Sequence, residues 1–218
     1  MSETGIGAAV RRVEDKRFIT GAGRYVDDLK IPGQLYGAFV RSTHAHAAVQ
    51  SVDIAAAAAM PGVHAVLTGA DVASDGVGGM PVGWGITQPD GSPMVEPAWP
   101  IIANDRVRFV GELIAVVVAD SKIQAVDAAE AVSVEYQPLP TVVATATAAN
   151  ADAPQIWPEA NNNTCFLWEI GDSAATAAAT AGAAHVTRIE ITNNRLVPNA
   201  MEPKAAIAGF SPATGELT

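Results

Sequence analysis

The sequence predicts an α+β fold. Three observations carry this: a strand–helix–strand signal over 35–68, a second one over 107–136, and a Gly- and Pro-rich stretch between them. Hydrophobic residues make up 49% of the chain against 17% charged, a balance that excludes wholesale disorder. With 218 residues the chain can hide a sizeable core.

Residues 1–20 are polar and punctuated and read as an N-terminal arm. The segment 21–33 (GAGRYVDDLKIPG) reads as turn, short strand, turn. Residues 35–41 (LYGAFVR) hold β-formers without Pro and predict a strand. Asp53 can cap a short helix through Met60, which Pro61 and Gly62 stop. Residues 63–68 (VHAVLT) predict the returning strand. The stretch 73–100 is the longest irregular one, and Trp84 and Trp99 inside it predict that it docks on something.

Residues 107–119 (VRFVGELIAVVVA) give the strongest strand signal in the chain. The lack of alternation over 113–119 predicts burial on both faces, and Gly111 predicts a bulge or a close backbone approach. Ser121 and Gln124 form a capping box for a helix through about Ala131. A strand over 132–136 follows and ends at Pro138 and Pro140. Residues 21–136 therefore read as one domain and 137–160 as a linker.

From 161 to 218 the style changes. Asp172 or Ser173 caps a short Ala-rich helix that ends near Gly182. Residues 184–192 alternate as a half-buried strand, 204–210 predict another, and 212–215 a turn. Three residues follow that turn, too few for a returning strand. The expectation is a chain truncated from, or forming the first piece of, a longer protein.

Lys and Arg number 13 and Asp and Glu 23, so the net charge is −10. That field repels nucleic acid and anionic membrane surfaces. The single cysteine, Cys165, excludes an internal disulfide framework and cannot by itself hold an iron–sulfur cluster or structural zinc. No apolar run reaches the roughly 18 residues of a membrane span. Arg11 and Arg12 are followed by further charges rather than an apolar segment, which is not a secretory leader. The chain reads as soluble and cytoplasmic.

Candidate chemistry is sparse. Gly5-Ile6-Gly7 and Gly21-Ala22-Gly23 lack the third glycine and the strand–helix setting of a dinucleotide loop, and read as turns. His44 and His46, two apart, would share one face of a strand and could bind a metal, yet no carboxylate or cysteine lies near in sequence. A structural or interface role is the expectation, and His64 and His185 are isolated. Cys165 has no local His and reads as a buried, inert thiol. Asn162-Asn163-Thr164 is a formal glycosylation sequon without meaning in a cytoplasmic protein. Glu112 sits at a buried strand and calls for a partner or a function; Glu202 in Met201-Glu202-Pro203 fixes backbone or acts in catalysis; Asp27 and Asp28 cap a turn. No nucleophile–base pair, metal triad or phosphate loop emerges.

Four segments, read in order, resemble one family. They are RRVEDKRFITGAGRYVDDLKIPGQLYGAFVRSTHAHA from Arg11, PGVHAVLTGADV from Pro61, IIANDRVRFVGELIAVVVAD from Ile101 and NNRLVPNAMEPKAAIAGFSPATGELT from Asn193. Together they are similar to the N-terminal part of the large, molybdopterin-binding subunit of the molybdenum hydroxylases, the group of xanthine dehydrogenase, aldehyde oxidoreductase, isoquinoline oxidoreductase and aerobic carbon monoxide dehydrogenase. Thr43 and Leu113 stand where the family often has Pro, and Lys204 where it often has Arg.

The resemblance implies an α/β hammerhead domain over about 21–136, followed from 161 by the beginning of a molybdopterin-binding domain. It implies hydroxylation by a molybdenum centre on a pterin dithiolene, with oxygen from water, a Glu as general base, and electrons leaving through iron–sulfur clusters to FAD on partner subunits. In the family the catalytic Glu and the pterin- and substrate-contacting loops lie beyond the region matched here. No catalytic, cofactor-binding or metal-ligating residue is therefore assigned to this chain, and neither Glu112 nor Glu202 occupies the base's motif. The molybdenum cofactor is expected in the intact protein and not in this chain alone. The expected partners are the remainder of the large subunit and the iron–sulfur and FAD subunits. Two other readings stay open: a free-standing hammerhead module acting in assembly, and an unrelated metal-binding protein using His44 and His46.

Overall fold

The computed structural model describes residues 5–194, 196 and 204–218. They fall into two compact units. One comprises 5–34 with the described part of 187–218, and the other 35–186. Among the described residues no helix is long and apolar enough to cross a membrane.

In the first unit, helix α1 (Asp15–Ile19) is one short turn. Asp28 Oδ2 accepts the Tyr25 N–H at 2.9 Å and caps a 3-10 turn at Val26–Asp28, as the acidic pair predicts. The strand expected at 204–210 does not form along its length. Instead Phe210 bridges Leu217, and Gly209 and Thr218 exchange backbone hydrogen bonds at 2.7 and 2.8 Å around the 212–214 turn. Three residues after the turn suffice to close a minimal hairpin, which corrects the expectation that they cannot pair.

The second unit holds β1 (Tyr36–Arg41), β2 (Ala47–Asp53), α2 (Ala55–Ala58), β3 (Val63–Thr68), α3 (Gly69–Ser74), β4 (Arg106–Val107), β5 (Leu113–Ala119), α4 (Lys122–Glu130), β6 (Ser133–Pro138) and α5 (Ser173–Ala181). The strands form two antiparallel sheets, ordered β1-β5-β3 and β4-β2-β6. β5 (LIAVVVA) is the β-branched centre of the first sheet, paired on both edges. Ser121 caps α4 by accepting the Gln124 N–H, as the capping box predicts. α4 packs on β1 and β5, and its buried residues are Ala125 and Ala128, whose small side chains admit close approach.

Two clusters make the core. Ala57, Val66, Val117 and Ala128 pack together, with Ile54 and Met60 against them. Ala47, Ala103, Val107 and Ile114 pack with Val49, Val52, Val134 and Tyr136, and join β5 to the second sheet. The cross-sheet row Phe39–Val116–Leu67 is less covered, with Phe39 52% and Leu67 42% exposed.

Several expectations are corrected. The run 107–119 is not one strand: it breaks over 108–112 and sends β4 and β5 to different sheets. Gly111 makes the break, with φ of +91° in the left-handed region that side chains avoid. β5 and β6 accordingly do not share a sheet. β2 has no counterpart in the sequence reading, since AAVQSVD holds only two β-formers, Val49 and Val52, and no regular alternation; its neighbours β4 and β6 make it a strand. α3 has no counterpart in the sequence reading either; it starts at a Thr68–Asp71 capping box, in which Asp71 Oδ2 accepts from Thr68 N and Oγ1, both at 2.7 Å. Residues 184–192 pair with no strand among the described residues and are exposed throughout, because alternation alone supplies no partner edge.

The stretch read as a linker is organised. The Asn163 side chain donates to Ala148 O and Pro154 O and accepts from Ile156 N, each at 2.9 Å. Gln155 Nε2 donates to the carbonyls of Trp157, Pro158 and Ala160, and Ala160 is 1% exposed. Asn163→Ala is expected to lower the unfolding free energy by about 2 kcal/mol, from three lost hydrogen bonds. Urea denaturation followed at Trp157 measures it; a midpoint equal to wild type contradicts the role.

Candidate functional site

The buried polar side chains among the described residues are Ser42, His46 and Glu112, exposed 3%, 5% and 3%. They lie where two connections meet: the corner from β1 to β2 and the turn from β4 to β5. Ser42 N–H donates to Glu112 O and Gly111 N–H to Ser42 O, both at 2.8 Å. Arg41 Nη1 donates to Gly111 O at 2.9 Å. The Ser42 hydroxyl donates to His44 O at 2.8 Å.

Glu112 closes its own turn. Its Oε2 accepts the Arg108 N–H, while Oε1 is buried with no hydrogen-bond partner among the described residues. Burial pushes its carboxyl above the usual range; the Arg108 amide and guanidinium pull the other way and are outweighed. Arg108 lies over the Trp157 ring, 3.8 Å from its centroid, and burial pulls the guanidinium down. This contact ties the 139–163 stretch to the β4–β5 turn.

His44 and His46 do not share a strand face. They sit in the corner, with His44 packed on the Tyr136 ring at 4.5 Å between centroids. His46 is buried, and its Nδ1 lies 2.6 Å from Pro140 O. A carbonyl only accepts, so Nδ1 carries the proton. His64 Nε2 pairs with Asp120 Oδ1 at 2.7 Å on the surface. His185 is exposed. Cys165 is half-buried rather than buried, and its carbonyl accepts the Val95 N–H at 2.8 Å. Trp99 meets Phe109 edge-on at 5.7 Å, whereas Trp84 is 82% exposed. Glu202 lies outside the described residues.

The cluster holds backbone and does not gather ligands. Among the described residues no three His, Cys, Asp or Glu side chains come together. At the corner the Ser42 hydroxyl, His46 Nδ1 and Glu112 Oε2 are committed to backbone groups, while His46 Nε2 and Glu112 Oε1 are buried without a hydrogen-bond partner among the described residues. Ser42 and Tyr136 were missed as members; the Ser in RSTHAHA carried no signal separating it from a surface Ser.

The raised carboxyl has a stability consequence. A carboxyl held higher in the folded chain than in the unfolded one favours folding while protonated. Stability then falls as pH rises from the usual carboxylate range through the raised value. Glu112→Gln removes this slope, so the variant gains on wild type between acid and neutral pH. Urea midpoints of both across that range test it; a constant difference contradicts it.

Residues 20–140 match the family model described as aldehyde oxidase and xanthine dehydrogenase, a/b hammerhead domain. The carbon monoxide dehydrogenase large chain of Afipia carboxidovorans is 38% identical over 98% of this chain and 27% of its own length. That of Hydrogenophaga pseudoflava is 36% identical over 94% of this chain and 26% of its own length. A solved structure of reconstituted CO dehydrogenase from Oligotropha carboxidovorans superposes with a TM-score of 0.70 at 39% identity, over 83% of this chain and 23% of that one. The chain thus spans about a quarter of the length of the relatives it matches.

Proposed function

Because the chain belongs to the aldehyde oxidase and xanthine dehydrogenase family through its hammerhead domain, we propose that it is the N-terminal, non-catalytic portion of a molybdenum hydroxylase large subunit. The observation that carries this is the match over nearly the whole chain to about a quarter of each large-chain relative. In this reading 21–136 is the hammerhead and 161–218 opens a molybdopterin-binding domain completed by further polypeptide. When bound, the molybdenum cofactor supplies the hydroxylation or oxidation chemistry. The residues of this chain supply position: the Ser42–Glu112 corner and the Arg108–Trp157 contact fix the surface on which the rest would sit. Iron–sulfur and FAD subunits would carry electrons away. The substrate class is a small molecule such as carbon monoxide, an aldehyde, a purine or an N-heterocycle.

Co-expression of this chain joined to, and separated from, its downstream coding sequence tests the reading. Dye-linked oxidation of a panel of those four substrate classes is expected in the joined protein and not in the chain alone. Turnover by the chain alone contradicts it.

A second reading, a free-standing non-catalytic hammerhead module, draws on the closed Phe210–Leu217 hairpin. A stop codon directly after Thr218, with a monodisperse and stable chain, favours it over the first.

A further inference from the structure

Arg108 stands between two partners. It follows β4 directly, and its guanidinium lies 3.8 Å over the Trp157 ring, the contact that fastens the 139–163 stretch. Its backbone N–H donates to Glu112 Oε2 in the turn to β5. No carboxylate lies within ion-pair distance of the guanidinium among the described residues. Arg108 Nε is buried without a hydrogen-bond partner there, and so is Glu112 Oε1. A donor and an acceptor four residues apart in one turn thus stay unpaired while the ring holds the guanidinium. Of the charged groups around them, Asp105 and Glu159 attract Arg108, Arg106 repels it, and Asp105 opposes ionisation of Glu112. Arg41 is committed to Gly111 O and His46 to Pro140 O. His44 packs on Tyr136, whose hydroxyl burial pushes up and keeps neutral.

We propose that Arg108 is a pH-dependent latch: it lies on Trp157 while Glu112 is protonated and turns to pair with Glu112 once that carboxyl ionises, which frees Trp157 from the β4–β5 turn. A neutral Glu112 accepts the Arg108 N–H through Oε2 and needs no counter-charge. An ionised one does, because it is only 3% exposed. An unpaired buried carboxylate costs more than a cation–ring contact contributes, so ionisation favours the exchange. Arg108 is the cation of the same turn, and its Nε is the donor without a partner. The proton passes to water and the guanidinium leaves the ring for Oε1. Burial of Glu112 sets the exchange above the usual carboxylate range. Trp157 is therefore held below that raised value and freed above it. His46 still holds the start of the stretch, and the Asn163 and Gln155 hydrogen bonds keep its internal shape. The latch lies wholly within residues 105–159 and does not depend on the large-subunit reading.

The test labels the whole 218-residue chain with 5-fluorotryptophan and follows the Trp157 fluorine signal from about pH 4 to 8, assigned through Trp157→Phe. In wild type the signal is expected to shift along one titration curve with its midpoint above the usual carboxylate range. In E112Q, which keeps an acceptor for the Arg108 N–H, it should stay at the low-pH position throughout. In R108A it should show no titration and stay at the position of the freed ring. Hydrogen exchange across 148–163, corrected for its intrinsic pH dependence, should rise about fivefold in wild type over the same range and stay level in E112Q. Unchanged circular dichroism shows that the variants fold, and R108A decides if E112Q does not. A Trp157 signal that stays still in wild type overturns the proposal. A shift that persists in E112Q belongs to another group, His46 included, and overturns it too, as does one that persists in R108A.

Discussion

Ile114→Ala is expected to lower the unfolding free energy by about 3–4 kcal/mol, the largest single effect in the chain. Ile114 is fully buried, and it packs with Ala47, Ala103 and Val107 where the two sheets meet. All three of these neighbours are small or β-branched, so little can collapse into the space left. The loss combines the removed apolar transfer with a residual cavity. Val116→Ala, one position along the same face but only partly buried, should cost less than half as much. Chemical denaturation of both variants measures the difference. Equal costs would mean that the junction of the sheets is not the centre of the core.

Gly69→Val should be nearly as damaging, at about 3 kcal/mol. Gly69 is buried at the start of α3, and a Cβ there would lie 2.4 Å from Ala103 O and 2.8 Å from Asn104 Cα. Those are backbone atoms, so relief requires moving the 101–105 segment away from the β3–α3 junction. Ala103 N donates to Leu113 O at 2.7 Å, so that movement also disturbs the entry to β5. Gly69→Ala should show a smaller loss in the same direction. An unchanged thermal midpoint in both would contradict the close approach.

The fold was legible where local chemistry and burial agreed. β1, β3 and α4 carry their own signals: β-formers without Pro, and Ser121 accepting from Gln124. β2 carries little, because Val49 and Val52 are its only β-formers, and its Ala, Gln and Ser become strand when β4 and β6 flank them. The apolar run 107–119 misled for the opposite reason. Its residues favour strand throughout, and a single left-handed glycine divides it between two sheets. The alternating 184–192 segment shows that pattern is necessary for a half-buried strand but not sufficient, since a partner edge must exist. At the candidate site, Glu112 was legible as a charge at a buried strand. Its partner, the amide of Arg108, was not, because both lie in a turn hidden inside the apparent strand. The metal reading of His44 and His46 assumed an extended backbone; the corner turns one ring onto Tyr136 and the other inward to Pro140.

The claim beneath all of this is that the chain positions chemistry performed elsewhere in a longer subunit. Molybdenum and pterin analysis of two purified proteins addresses it most directly: residues 1–218 alone, and the same residues continued by their downstream coding sequence. About one molybdenum and one pterin per chain are expected in the longer protein, and neither in the shorter. Stoichiometric molybdenum and pterin in residues 1–218 alone would contradict the account.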